Sequence, residues 1–144
     1  MSAWLGVVSK AHVQRGVAGG FAQVCHGKAP PLRRMKRGDW LVYYSPGVEM
    51  GGPALRAFTA LGKLEDDQVF AFDMGGGFVP FRRRVRYLPT SEVALDDVKQ
   101  KLELCASPHW SMALRRGLLP LSQQDIWTLA EAMGVAELKA VKVA

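Results

Sequence analysis

The chain has 144 residues, 49% of them apolar and 22% charged, a globular composition that excludes a disordered tail or low-complexity scaffold and suits one domain. At this length one core removes roughly 68% of the unfolded chain's surface from water, so no disulfide or metal is needed to hold it together. The net charge is +6, and the whole excess sits in residues 1–38, where Lys10, Arg15, Lys28, Arg33, Arg34, Lys36 and Arg37 meet no acidic side chain; a one-signed field favours an anionic partner, although charge on a small protein also serves solubility alone.

Trp4 to Val8 is short, apolar and rich in β-formers, and reads as a buried strand. Residues 14–31 hold Gly16, Gly19, Gly20 and Gly27 and end in Pro30-Pro31, the pattern of a long glycine-rich loop. Leu32 to Lys36 suffices for one helical turn. Gly38-Asp39 turns into the strand Trp40 to Tyr44, which Ser45-Pro46-Gly47 stops. Ala54 to Leu64 fits strand or helix by periodicity, and Phe58, Thr59 and Gly62 favour strand. Asp66-Asp67 is a turn, Gln68 to Asp73 a further strand, and Gly75-Gly76-Gly77 a flexible connection.

Phe78 to Leu88 is a strand with an unusual alternation. Val79, Phe81, Arg83, Val85 and Tyr87 fall on one face, and Arg82, Arg84 and Arg86 on the other. Arg83 thus points with four apolar side chains, and a buried Arg needs an internal carboxylate or a ligand anion. The last third is helical. Ser91 caps a short helix through Leu102, and Ser122-Gln123-Gln124-Asp125 resembles a capping box. Ile126, Leu129, Ala130 and Met133 then form the core stripe of a helix that Gly134 ends and that covers the sheet. The sum is about five strands with a few helices at the edges, a small curled sheet or partly open barrel.

Few residues invite catalysis. Cys25 and Cys105 are too few for a disulfide framework, have no C-x-x-C spacing, and are expected as free thiols of a reducing cytoplasm. Cys25 and His26 are adjacent, but neighbours in sequence usually point apart. His12, His26 and His109 lack metal-ligand spacing, and there is no phosphate-binding loop; no cofactor is expected. The N-terminus lacks the basic region of a signal peptide, and no apolar run approaches the ~20 residues of a membrane span. The segment from Gly19 to Lys28 does combine what base recognition uses. It has an aromatic face for stacking (Phe21), polar groups for a base edge (Gln23, His26) and a cation for phosphate (Lys28). Each also has an ordinary reading: Phe21 as core, His26 as a hydrogen-bonded histidine, Lys28 as solvated charge.

In order along the chain, Trp4–Ser9 with His12-Val13, Gly20–Lys28, Arg34–Pro46, Ala57–Gly62, Pro80–Tyr87, His109-Trp110 and Arg116–Leu118 resemble the EVE domain, a member of the PUA-like superfamily related to YTH and ASCH domains, in its stand-alone bacterial form. The resemblance implies one domain over residues 1–144 of α+β class, with a PUA-like curved mixed sheet or partly open β-barrel of about five to six strands and flanking helices. It also implies a non-enzymatic reader that accepts a flipped, modified base, either modified cytosine in DNA or a modified base in RNA. Carried over by motif, the base pocket comprises Ser9, Phe21, Ala22, Gln23, His26, Tyr44, Ser45 and, as an aromatic wall, Trp110. Lys28, Arg82, Arg83 and Arg116 hold phosphates. The competing expectations are a pocket for a free nucleoside or anionic metabolite and, less favoured, a Cys25–His26 enzyme.

Overall fold

Residues 40–45 are buried without a break, as in a strand covered on both faces. In the computed structural model, which describes residues 1–135, this strand is β3 (Trp40–Gly47) at the heart of a mixed sheet. Trp40, Val42 and Tyr44 enter one core and Leu41 and Tyr43 the other. The remaining strands are β1 (Ala3–Val7), β2 (Phe21–Ala22), β4 (Ala54–Ala71), β5 (Phe81–Tyr87), β6 (Val93–Ala94) and β7 (Leu118–Leu121). Their order is β2-β5-β4-β3-β1-β7, with β6 paired to β4. The β1–β3 pair is parallel and the others antiparallel. The class is therefore α+β, and the sheet stays open rather than closing into a barrel. No helix among the described residues is long and apolar enough to cross a membrane.

Helices cover both faces. On the face of Leu41 and Tyr43 lie α1 (Lys10–Gly19) through Val13 and α2 (Ala29–Arg33) through Leu32. On the opposite face lie α3 (Leu95–Val98) and α5 (Gln123–Ala132), the latter through Ile126, Leu129 and Ala130; α4 (Trp110–Ala113) packs at its edge through Trp110. The helix α5 follows the sequence reading closely. Ser122 Oγ accepts from Asp125 N–H (3.1 Å), while the Asp125 carboxylate accepts from Glu103 N–H (2.7 Å) and Leu104 N–H (2.9 Å). Each fully buried Ile or Leu of this stripe contributes about 1.5–3 kcal/mol.

Four local expectations are corrected. The glycine-rich stretch is largely the helix α1, capped by Ser9 and closed by Gly20 at φ +70°. Its glycines serve close approach: a Cβ on Gly16 would lie 2.7 Å from the Phe21 carbonyl oxygen. Packing overrides helix propensity there. Pro30 and Pro31 sit in the first turn of α2, where a missing N–H is no loss, so the helix starts before Leu32. Asp66-Asp67 does not separate two strands. It lies in a bulge of the continuous β4, where the pairing steps from Leu64↔Val85 to Val69↔Arg83. The segment from Ser91 breaks into β6, α3 and short 3-10 turns.

Arg83 is 1% exposed. Its partners are carbonyls: Nη1 donates to Leu32 O and Met35 O (both 2.6 Å), and Nη2 donates to Asp66 O. The guanidinium thus caps the C-terminal end of α2, where a cation suits the exposed carbonyls, and pins the bulge of β4 to it. Asp39, also buried, ties the N-terminus down: it accepts from Ser2 N–H (3.1 Å), Trp4 Nε1–H (2.9 Å) and Lys36 N–H (2.9 Å).

Candidate functional site

A cavity of about 1010 Å³ opens where the N-terminus of α1, the segment after β2, the β4–β5 connection and the turn before β7 converge. Ser9 reaches it because it caps α1: its side chain accepts from His12 N–H (3.4 Å). His12 lies one turn along the same face. Its Nε2 stands 2.8 Å from the Gln23 carbonyl oxygen; a carbonyl only accepts, so Nε2 carries the proton. Burial pulls the His12 pKa below 6.5, outweighing that hydrogen bond, and Arg15 and Arg82 add to the lowering.

Past β2 the backbone turns sharply. Cys25 (φ 51°) and His26 (φ 60°) both adopt the left-handed conformation, which is costly for residues with a Cβ and concentrates at functional sites. The turn places Cys25 against the chain before β7. Its Sγ donates to Arg116 O (3.3 Å), and a Cβ on Gly117 would lie 2.7 Å from that sulfur. Val7 N–H donates to Gly117 O (2.9 Å) on the other side. These contacts set Arg115 and Arg116, both exposed, on the rim of the cavity. Burial raises the Cys25 thiol above its usual 9.0, against the pull of Lys28 and Arg34.

The floor is ordered by Arg82. Its Nε donates to Gln23 Oε1 (3.0 Å). Its guanidinium carbon stands 3.8 Å from the ring centre of Phe21 and 4.0 Å from that of Phe72. Phe21 in turn lies over Gly19, where a Cβ would come within 2.6 Å of the ring, and Tyr87 Oη–H donates to its carbonyl (2.8 Å).

Seven of the residues expected at a site line this cavity: Ser9, Phe21, Gln23, His26, Lys28, Arg82 and Arg116. Five do not. Ala22 is fully buried within β2. Tyr44 is 4% exposed, its ring 5.3 Å from that of Phe58 in the core beneath α5. Ser45 is fully buried and bonds Thr59 through its hydroxyl (2.8 Å). Arg83 is engaged with carbonyls as described. Trp110 packs against the α5-side core, with Lys99 Nζ 5.2 Å from its ring centre.

The lining also holds His12, Arg15, Met74, Phe78 and Arg115, which sequence reasoning did not single out as site residues. His12 and Arg15 share a face of α1 at i, i+3, a signal that becomes readable once residues 10–19 are taken as helix. The basic first quarter does not face the cavity as a block. Only Arg15 and Lys28 of it line the cavity, while Lys10 pairs with Glu92 (2.9 Å) and Arg34 lies over Trp4. Tertiary folding brings Arg82, Arg115 and Arg116 to join them. Among the described residues, five cations and the single carboxylate of Glu49 therefore face the space. Such a lining attracts an anion, offers aromatic faces at Phe21 and Phe78, and presents a hydroxyl, an imidazole and an amide for hydrogen bonds.

The model of the EVE domain matches residues 2–132. The UPF0310 protein YdcG of Bacillus subtilis is 46% identical over 134 residues, covering 92% of both chains. A UPF0310 protein of Streptococcus gordonii is 52% identical over 137 residues, covering 92% of this chain and 93% of that one. Among solved structures, protein Atu2648 of Agrobacterium tumefaciens superposes with a TM-score of 0.58 at 14% identity, over 94% of this chain and 95% of that chain, a likeness of fold.

Proposed function

Because this chain belongs to the EVE domain family, we propose that it binds nucleic acid and seats one extruded, modified base in the cavity beside Phe21. The observation that carries this reading is the lining itself, where the described residues set five cations against one carboxylate around aromatic and hydrogen-bonding groups. Lys28, Arg115 and Arg116 are exposed at the rim and suit phosphate contacts, which position the strand without reading its sequence. Phe21 supplies a face on which a base stacks, and Gln23, His12 and Ser9 supply donors and acceptors for its edge. A volume of about 1010 Å³ leaves room for a base with an added group. The molecule acts in the cytoplasm on modified DNA or RNA and performs no turnover. Cys25, the one thiol in the lining, is held protonated by burial and by its bond to Arg116 O, and a thiol is a poor nucleophile beside its thiolate.

The test is mass spectrometry of nucleosides from nucleic acid that co-purifies with the protein, beside the Lys28→Ala/Arg116→Ala double variant. Enrichment of one modified nucleoside with the native protein, lost with the variant, is expected. Bulk cellular composition with both proteins would sink the reading and leave only a sticky basic surface. Equal affinity for a free nucleoside and for a strand would favour a small-ligand site instead.

A further inference from the structure

The row Phe21, Arg82, Phe72 follows from the strand order β2-β5-β4. β5 runs between the other two, so Arg82 is flanked by Phe21 of β2 on one side and, on the other, by Phe72, which directly follows the end of β4. Arg82 is 7% exposed although its neighbour in space, Phe72, is 46% exposed. A flat, delocalised group therefore already lies against two aromatic faces, its carbon 3.8 and 4.0 Å from their centres, well within the ~6 Å reach of a cation–π contact. Its edge is met by an amide, Gln23 Oε1 at 3.0 Å from Nε. Two stacking faces and an edge-reading amide are the needs of a nucleobase. The slot also opens into the cationic cavity, since Phe21, Gln23 and Arg82 all line it.

We propose that the slot between Phe21 and Phe72 is the seat of the nucleobase and that the Arg82 guanidinium fills it in the free protein. An incoming base displaces Arg82, takes over the two ring faces, and meets the Gln23 amide that Arg82 has released. The freed guanidinium, on a flexible stem, turns to a flanking phosphate, for which its fork of donors is suited. Arg82 is then a competitor for a bare nucleoside and a helper for a strand. The inference rests on the nucleic-acid reading above, and the same experiment separates the two.

The direct measurement follows the Arg82 Nε–H resonance of the ¹⁵N-labelled wild-type protein, assigned by its loss in Arg82→Lys. Between two rings this proton is shifted by ring currents. The probes are short single strands carrying 5-methylcytosine in DNA or N6-methyladenine in RNA, with unmodified strands beside them. With any strand that binds, the Arg82 signal is expected to move to the position of a solvated guanidinium. Binding with the signal unmoved overturns the slot and leaves the nucleic-acid reading standing. Binding of no strand overturns both. As a second measurement, Arg82→Ala is expected to bind the free modified nucleoside about tenfold more tightly, if the guanidinium occupies the slot about nine-tenths of the time. Its binding to a strand is expected to become less salt-dependent. Nucleoside binding unchanged or weakened in folded Arg82→Ala also refutes the slot. Phe72→Leu, which alters a half-exposed ring, is expected to weaken nucleoside binding without loss of fold.

Discussion

Removing Arg116 tests whether the cavity rim holds phosphate, and its effect can be worked from the lining. Four cations face the space without a burial constraint: Arg15, Lys28, Arg115 and Arg116. Each phosphate contact on a single strand releases about 0.7 of a counterion, so four predict a slope of log K against log salt near −3. Between 50 and 200 mM salt, binding should then weaken about 50-fold. Arg116→Ala should make the slope shallower by about 0.7, because its side chain is exposed and its structural work is done by its carbonyl, which the substitution keeps. Arg82 is left out of the four because Gln23 and two rings engage it; its release on binding would steepen the slope by about 0.7 more. Glu49→Gln should act in the opposite sense and tighten binding, which no loss of fold can imitate. Fluorescence anisotropy of a labelled single strand, titrated at four or more salt concentrations, reads all three proteins. A wild-type slope shallower than about −1, or an Arg116→Ala variant that binds more weakly at an unchanged slope, refutes the reasoning.

Three further outcomes are expected. Gly16→Ala should destabilise the protein by about 1–3 kcal/mol in urea unfolding, against the gain of about 0.5–1 kcal/mol that Ala normally brings inside a helix, because the new Cβ would lie 2.7 Å from the Phe21 carbonyl oxygen; a more stable variant would contradict this packing. The His12 pKa is lowered in the fold from 6.5, chiefly by burial, so the unfolded chain takes up this proton first. Its stabilising contribution is whole above pH 6.5, falls as pH drops from there through the lower folded-state value, and is gone below it; a loss of stability over that window as large in His12→Asn as in wild type would tell against it. Burial raises both Cys25 and Cys105 above 9.0, so alkylation of the native protein at pH 7.5 should run slower than that of a free cysteine peptide, and a rate faster than the peptide's would point to an activated thiolate.

Much of this protein is legible in its sequence. Five or so apolar β-rich segments between turn residues, an i, i+3, i+4, i+7 stripe after Ser122, and an Arg placed by alternation among apolar side chains are local patterns, and the forces behind them are local too. Strand β3, helix α5 with its cap, and the burial of Arg83 follow from them. The ordered motif series likewise leads to the family without any coordinates. What the tertiary structure decided depends on contacts between segments far apart in the chain. Helix α1 persists through Gly16 and Gly19 because their missing Cβ atoms make room for Phe21, which Tyr87 and Arg82 of β5 hold in place. β4 runs on through Asp66 because Arg83, from another strand, holds its bulge. Tyr44 turns away from the cavity because strand alternation sets it beside Trp40 and Val42, in the core beneath α5. Arg83 is drawn inward by the carbonyls at the end of α2, while Arg82, one residue away, points to the opposite face and into the cavity. The net charge could be counted from the chain, but the five cations of the cavity are gathered from three separate regions of it. Only folding brings those regions together, since charge in a sequence has a position along the backbone and acquires a direction in space when the strands pair.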